Sequence, residues 1–447
     1  MKLMNHMIIV DVDDEKKLLI NSLNGLIDQV SVTACEVIEK WKGLEEITPE
    51  GELEEALYES LLSRGYLVKN QEEEQAKRDE VVKVLREKHM EWQSNPKRAV
   101  FVMTYNCNFR CSYCFEGESV LRKEIITTEQ IDAALELIGD GLESIILFGG
   151  EPLLPENRAS LQHLISKTAD KTFGMYTNGY HLLDFFDILS KLKFDSLIVT
   201  LDGDEHTHNS RRFLADGSPT FDRIVLGIEK FLENGTPIIV RINVDTSNLE
   251  ESNSLRNNLM NKFDQYGDLL AFEISPMLSA SNKEKSDAIT KMYSVDLEHS
   301  YEERKRRNRT LGGHQKILGV FTGGAKRLRP AYSFCNAHVN TMAFDPYGNI
   351  YSCLVAVDKE KLAVGTYYPK VSFKENSMYN RNIETISECS ECVYALLCGG
   401  GCAMALPPGD GICRPACAAT HEEIHTLLPR FFQMEQEKKA AKTKAYS

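Results

Sequence analysis

Residues 107–114 read Cys-Asn-Phe-Arg-Cys-Ser-Tyr-Cys, three cysteines at the spacing C-x3-C-x2-C. A [4Fe–4S] cubane normally takes four thiolates, so this loop is one short. Held by three, a cubane keeps one iron open, and a small molecule can be its fourth ligand. A zinc loop or a set of buried thiols is the competing reading. Zinc wants four protein ligands in tetrahedral geometry, and the next cysteine after Cys114 is Cys335. The apolar, β-rich run 99–104 precedes the loop, so the loop is expected to leave the end of a strand. No other feature constrains the fold as strongly.

The other cysteines extend the argument. Of twelve, three lie in the loop, Cys35 stands alone, and eight fall between Cys335 and Cys417. Eight is the number that two fully ligated cubanes require. Clustered cysteines read as metal ligands in the cytosol, where disulfides are rare. The start of the chain agrees: a short apolar stretch, 7–10, runs into three aspartates and a glutamate, unlike a signal peptide. A cytoplasmic protein is expected. No run approaches the roughly 18 apolar residues of a membrane span. A net charge of −14 disfavours a nucleic-acid partner, which needs excess Lys and Arg. The 447 residues, 42% hydrophobic and 26% charged, suit a globular protein with a sizeable core and about two to four domains.

Residues 1–70 read as a small α/β module. Segments 7–12 and 17–22 are strand-like, and Asn24-Gly25 between 18–23 and 26–30 signals a hairpin. Ser31 or Thr33 caps a helix to Trp41, with Ala34, Val37, Ile38 and Trp41 on one face. Pro49 opens a second helix with Leu53, Leu57, Leu61 and Leu62 on its face, Gly65 stops it, and a short strand 66–68 follows. Cys35 sits on the apolar helix face as a core thiol. Residues 71–95 are a charged, solvated linker helix with Val81, Val84, Leu85 and Trp92 at helical spacing. Residues 96–280 then alternate six strand patterns (99–104, 144–148, 171–176, 196–201, 237–244, 270–276) with five helical ones (128–139, 157–169, 180–192, 220–233, 248–266). That alternation predicts an α/β fold with a parallel sheet and helical crossovers.

The C-x3-C-x2-C loop, with Tyr113 between its last two cysteines, resembles the signature of the radical S-adenosylmethionine (SAM) enzymes. The resemblance implies a partial (β/α)6 barrel over 96–280. It also implies that SAM binds the open iron of the Cys107, Cys111 and Cys114 cluster and is cleaved there by one electron to a 5′-deoxyadenosyl radical. Barrel chemistry sits at the C-terminal strand ends, and the motifs fall there. Gly149-Gly150-Glu151-Pro152 resembles the element that holds the methionine amino group of SAM. Thr177-Asn178-Gly179 and Thr200-Leu201-Asp202-Gly203, followed by Arg211 and Arg212, occupy later strand ends. The resemblance assigns Thr177, Asn178, Thr200 and Arg212 to SAM contacts; Tyr113, Gly149, Gly150 and Glu151 complete the set. Taken alone, T-N-G and D-G are ordinary turn sequences. Arg241 and Asn243 can also point into the barrel. His206 and His208 show no partner ligand for a metal.

Residues 281–334 form a polar bridging region with a basic cluster at 304–309 and Lys326, Arg327 and Arg329. Such a cluster is usually a solvated face; it can also steer an acidic peptide. Gly312-Gly313 and Gly323-Gly324 lack the lysine of a phosphate loop. Over 335–420 the pattern is C-x12-G-x4-C from Cys335 through Gly348 to Cys353, then Cys389-x2-Cys392-x5-Cys398-x3-Cys402, then Cys413 and Cys417. This resembles the SPASM domain, the twin auxiliary-cluster extension of peptide-modifying radical SAM enzymes, against a zinc ribbon as the competing reading. The resemblance implies three [4Fe–4S] clusters in all. Cys389, Cys392, Cys398 and one late cysteine would hold the outer auxiliary cluster, and Cys335, Cys353 and Cys402 the inner one. The pattern ends in one cysteine where this chain has two. Either the extra one completes the inner cluster, or that cluster keeps an open iron for a substrate thiolate. Residues 421–447 are a C-terminal helix or tail.

The N-terminal module is similar to the winged-helix-like domains that take the leader of a ribosomally made peptide as an added edge strand. A winged-helix packing module without a ligand is the plainer alternative. Together the resemblances imply a peptide maturase that forms thioether bridges from cysteine sulfur to carbon, of the sactipeptide or ranthipeptide type. Its partners would be a Cys-containing precursor peptide with a leader and an electron donor such as a flavodoxin or ferredoxin. Carbon–carbon crosslinking is the runner-up. A sulfatase-maturating enzyme would carry an aspartate after the second SPASM cysteine, where this chain has Leu354. A non-catalytic electron carrier or zinc-stapled binding protein would not need Gly149-Gly150-Glu151. No catalytic base is identified.

Overall fold

The computed structural model describes residues 1–114, 116–245, 247–276, 327–375, 378–406 and 412–445. The basic cluster at 304–309, Lys326 and the glycine pairs at 312–313 and 323–324 lie outside them. Two compact units form: Met1–Trp92 with Arg304–Val339 and Asn380–Ser447, and Gln93–Glu303 with Asn340–Tyr379. They do not coincide with the segments read from the sequence, because each unit joins pieces distant in the chain.

The first unit begins with β1 (Lys2–Leu3), β2 (Met7–Asp11), β3 (Lys16–Asn21) and β4 (Ile27–Ser31). Helices α1 (Val32–Trp41) and α2 (Gly51–Ser63), strand β5 (Leu67–Val68) and helix α3 (Gln71–Ser94) follow. Strands β2, β3 and β4 pair antiparallel, with Ile9 opposite Leu19 and Leu19 opposite Asp28. A strand the sequence reading missed, β1, pairs antiparallel with β5. Ser31 caps α1, its hydroxyl accepting from the Ala34 N–H at 3.1 Å.

The central strand is buried on both sides. Leu19 packs with Cys35, Ile38 and Trp41 of α1, Leu61 of α2, and also Cys389, Ala395 and Leu396. The opposite face, with Ile8, Val10, Leu18 and Ile20, packs on Leu397, Ile424 and Leu428. Successive strand residues point to opposite faces, so an apolar run without alternation needs cover twice. The C-terminal helix over Leu428–Ala445 supplies part of the second cover. The apolar face expected of α2 is only partly used: Leu61 is buried, while Leu53 and Leu62 are exposed.

In the second unit, β6 (Arg98–Val102), α4 (Thr128–Ile138), β7 (Ser144–Phe148), α5 (Arg158–Thr168) and β8 (Thr172–Thr177) alternate as expected. They continue through α6 (Phe186–Leu189), β9 (Phe194–Thr200), α7 (Glu205–Arg211), α8 (Phe221–Glu233), β10 (Ile238–Val244), α9 (Leu249–Lys262) and β11 (Leu270–Pro276). The six strands run parallel in the order β11-β10-β9-β8-β7-β6. A helix expected over 180–192 shrinks to four residues. Arg223 Nε takes the Tyr180 carbonyl at 2.9 Å and Arg158 Nη1 the Asp184 carbonyl at 3.0 Å, oxygens that a continuous helix would use.

The sheet does not end at β6. Strand β12 (Thr341–Phe344) lies parallel to it, and β13 (Asn349–Tyr351), β14 (Gly365–Thr366) and β15 (Ser372–Phe373) add antiparallel. Residues just after Cys335 thus complete the barrel's own sheet. Buried Asp345 fixes the join, accepting from the Tyr105 hydroxyl at 3.0 Å and the Asn349 N–H at 2.7 Å. Among the described residues no helix is long and apolar enough to cross a membrane.

Candidate active site

The cysteine loop leaves the C-terminal end of β6 and is fixed from two sides. On one, the Gly150 N–H donates to the Thr104 carbonyl at 3.0 Å and the Glu151 N–H to the Asn106 carbonyl at 2.9 Å. A Cβ at Gly149 would stand 2.2 Å from the Thr104 oxygen, and one at Gly150 2.1 Å from the Tyr105 oxygen. The close approach these glycines permit is therefore to the cysteine loop's own backbone. On the other side, residues 211–215 lace onto the loop: Arg110 N to Phe213 O at 2.9 Å, Ser112 N to Arg211 O at 3.1 Å, Ala215 N to Asn108 O at 2.9 Å.

The three thiols feel one another. Burial pushes Cys107 up, with Glu151 and then Cys111 adding. Burial likewise raises Cys111, against Arg212 and with Cys114, and raises Cys114. Burial raises a thiol because it penalises the thiolate, and a bound cation removes that penalty. Cys107 Sγ also receives the Phe109 N–H at 3.4 Å and the Asn178 amide at 3.8 Å. Among the described residues no three His, Cys, Asp or Glu side chains converge on a single metal ion.

Glu151 is fully buried. Its Oε1 accepts from the Leu153 N–H at 2.9 Å and the Thr177 hydroxyl at 2.7 Å, and its Oε2 from the Asn178 N–H at 2.7 Å. A carboxylate offers about four acceptor positions, so one stays available. Burial raises its pKa against those three bonds, and among the described residues no cationic side chain pairs with it. That is the donor set an ammonium ligand would complete.

Across the site, Tyr113 is the hub. Its hydroxyl donates to Asp202 Oδ2 and accepts from Arg212 Nη1 at 2.7 Å and Asn243 Nδ2 at 3.1 Å. Arg212 is held charged: burial opposes the charge, but Tyr113, Cys111 and Asp202 outweigh it. Three buried donors here have no hydrogen-bond partner among the described residues: Asn108 Nδ2, Arg212 Nε and Arg241 Nε. Unpaired buried donors are rare in proteins, and this group is what a polar ligand such as SAM would satisfy. Thr200 stands half-buried at the end of β9, opposite Arg241 of β10.

Sequence reasoning missed several members. Asp202 was read as a turn residue, yet it is fully buried and also accepts from Arg211 Nε at 3.4 Å; its phase with the end of β9 was the available signal. Glu116 drew no attention, although burial, Asp358 and Glu151 push its carboxyl up to about 7. His208 is a core histidine, with Nδ1 accepting from the Asp202 N–H at 3.3 Å and Nε2 against Thr220 Oγ1 at 3.0 Å; burial holds it well below the usual range. His206 is exposed.

In the first unit a second thiol group forms. Burial raises Cys389, with Cys398, Cys392 and Cys417 adding in turn. Burial likewise raises Cys417, with Cys398 and Cys392 adding. Cys398 also receives the Thr420 hydroxyl at 3.3 Å. Both late cysteines are exposed; Cys417 acts on Cys389, and Cys413 lies on a turn. Cys335 and Cys402 both act on buried Arg381, which the sequence reading did not single out. Cys353 follows β13 in the other unit. Gly399, Gly400 and Gly401 all have left-handed backbone, φ 67, 87 and 71, conformations open to glycine. A Cβ at Gly401 would stand 1.9 Å from the Ala416 oxygen, so the turn presses directly on the segment carrying Cys417.

A three-cysteine loop stands at the strand ends of a parallel β/α sheet. Residues 101–254 match the Radical SAM superfamily, and the chain carries that domain. The sporulation killing factor maturation protein SkfB of Bacillus subtilis (strain 168) is 27% identical over 158 residues, 35% of this chain and 38% of that protein. The chain spans less than half the length of the curated relatives it matches. Among solved structures, anSMEcpe with bound AdoMet and Cp18Cys peptide superposes with TM-score 0.56 at 19% identity, covering 76% of this chain and 99% of that one. Streptococcus suis SuiB bound to precursor peptide SuiA gives TM-score 0.50 at 16% identity, covering 92% and 98%. At these identities the likeness is one of fold.

Proposed function

We infer that this protein is a radical SAM enzyme that matures a ribosomally made precursor peptide by forming thioether bridges from cysteine sulfur to carbon. The observation that carries the reading is the pairing at one barrel mouth of the Cys107–Cys114 loop with buried Glu151, a carboxylate that no cationic side chain among the described residues pairs with. Cys107, Cys111 and Cys114 would hold the SAM-binding cluster, and Glu151 the SAM ammonium. Tyr113, Asn178, Thr200 and Arg212 would orient the rest of SAM, with Thr177 and the glycine pair fixing Glu151 and the loop. Together, bound cluster and SAM supply a hydrogen-abstracting radical. Tyr113, Asp202, Arg212 and Asn243 join in one hydrogen-bond network at the mouth.

A peptide substrate is supported by three relatives: one named for maturing a killing factor, and two solved with peptide bound. Residues 1–70 would take the leader, since β2 and β4 are the edges of their sheet and an edge strand can accept an added one. Eight cysteines toward the C-terminus would hold two auxiliary clusters, with Cys389, Cys392, Cys398 and Cys417 at the outer one. In the product an S–C bond replaces one C–H and one S–H bond, a two-electron oxidation of the peptide: the carbon's hydrogen atom would go to the SAM-derived radical, the thiol's proton to solvent and the remaining electron to an auxiliary cluster. An electron donor of the flavodoxin or ferredoxin class would start each turnover.

The test uses the anaerobically reconstituted chain with SAM, a strong reductant and a Cys-containing precursor peptide encoded beside its gene. Peptide lighter by two hydrogens per bridge, with one alkylatable thiol lost per bridge, is expected. Mass loss with every thiol still alkylatable indicates carbon–carbon crosslinking. An unchanged mass with exchange of one substrate hydrogen indicates epimerisation and removes the thioether assignment.

A further inference from the structure

One side chain staples the two segments that carry the outer thiols. Arg381 is fully buried, and among the described residues its guanidinium donates only to backbone carbonyls. Nη1 reaches Gly401 O at 2.6 Å, Nη2 reaches Gly400 O at 2.6 Å and Arg414 O at 2.8 Å, and Nε reaches Ile412 O at 2.7 Å. Gly400 and Gly401 lie between Cys398 and Cys402, and Ile412 and Arg414 flank Cys413. The rigid guanidinium fork thus fixes the turn between one thiol of each auxiliary set and ties it to the strand of chain that leads to Cys417.

Four carbonyls take four of the guanidinium's five N–H donors but leave the charge. Among the described residues Arg381 forms no ion pair with a carboxylate, and a buried charge without a counter-charge is costly. Thiolates holding iron would offset it: burial pushes the Arg381 pKa down, and Cys389, Cys398, Cys402 and Cys335 act in the opposite direction. Two of these belong to the proposed outer set and two to the inner.

We propose that Arg381 is the shared counter-cation of the two auxiliary clusters, raising both reduction potentials while its fork positions the Cys398–Cys402 turn. The proposal rests on the reading of two auxiliary clusters given above. A reduced cubane carries one more negative charge than an oxidised one, so a fixed buried cation favours reduction. Arg381 acts here as a positioning and electrostatic residue, without touching substrate.

The test compares the full-length, anaerobically reconstituted wild-type chain with Arg381→Gln and Arg381→Lys. Iron and sulfide are counted, and the auxiliary midpoint potentials are read by EPR-monitored redox titration. Arg381→Gln should make reduction at least tenfold less favourable, about 59 mV for one electron, whereas Arg381→Lys, which keeps the charge, should stay near wild type. Full iron with unmoved potentials in Arg381→Gln overturns the counter-cation role alone, and so does an equal fall in both variants. If Arg381→Gln retains no auxiliary iron, Arg381→Lys decides: wild-type potentials uphold the role and lowered ones overturn it. A wild-type chain that retains one cluster's worth of iron overturns the two-cluster reading itself.

Discussion

Glu151 and Asn178 meet at 2.7 Å, where the Asn178 backbone N–H donates to Glu151 Oε2. The same asparagine reaches Cys107 Sγ with its side-chain amide at 3.8 Å and Asn108 Oδ1 at 2.8 Å. The carboxylate assigned to the SAM ammonium and a thiol assigned to iron therefore share one intermediary. A change at either end should be felt at the other.

Glu151→Gln removes the charge and turns an NH2 group toward one of the three donors the carboxylate now accepts from. SAM affinity of the reconstituted protein should fall tenfold to a hundredfold, on the order of 1.5–3 kcal/mol for a charge-assisted hydrogen bond. Calorimetric titration with SAM measures this, alongside an iron count that should not change. Undiminished affinity would separate Glu151 from the ammonium.

Asn178→Ala deletes an N–H···S contact to Cys107 while leaving the backbone bond to Glu151 in place. Hydrogen bonds to cluster sulfur raise reduction potentials, so the SAM-binding cluster should become harder to reduce. A bond of about 0.5–1.5 kcal/mol corresponds to a fall on the order of 20–65 mV over one electron. Redox titration at constant iron content checks it; an unshifted midpoint would mean that the 3.8 Å contact carries no weight.

The late cysteines should behave differently. Cys417→Ala should cost one auxiliary cluster, about four irons per chain, because Cys417 shares its field with Cys389, Cys392 and Cys398. Cys413→Ala should leave the outer cluster in place. Iron and sulfide analysis of the two variants decides, and the opposite outcome would exchange their roles.

Removing residues 1–68 tests the leader-binding reading less cleanly than the sequence suggests. Leu19, Cys35 and Trp41 share a core with Cys389, Ala395 and Leu396, so truncation should cost auxiliary iron as well as peptide binding. Trp41→Ala, a large-to-small change in that core, should destabilise the first unit by roughly 3–5 kcal/mol. A lowered thermal transition with reduced iron is expected. Full auxiliary iron in the truncated chain would show the cysteine segment to be independent of the module.

Much was legible because local chemistry wrote it into short stretches. Three thiols within eight residues, glycines beside a carboxylate, and a regular alternation of β and α patterns each declare themselves without distant partners. Four of the strand ends carried motifs whose phase with the barrel mouth could be counted along the chain. The helix expected at 180–192 failed for a nonlocal reason, since Arg158 and Arg223 come from elsewhere to take its carbonyls. Asp202 looked like a turn because its three partners, Tyr113, Arg211 and Asn243, lie 9 to 89 residues away.

The sequence by itself determined the three-cysteine loop, the parallel sheet and the cluster of late cysteines, since spacing and periodicity are properties of neighbouring residues. Only the tertiary structure decided that β12 extends the barrel sheet and that the first strands and the last helix share one core. It also brought Cys417 into the field of Cys389, Cys392 and Cys398, and Arg381 into that of Cys389 and Cys398. Each of these depends on burial and charge brought together from distant parts of the chain. A thiol's field and a guanidinium's isolation from carboxylates arise only when the folded backbone excludes water around them.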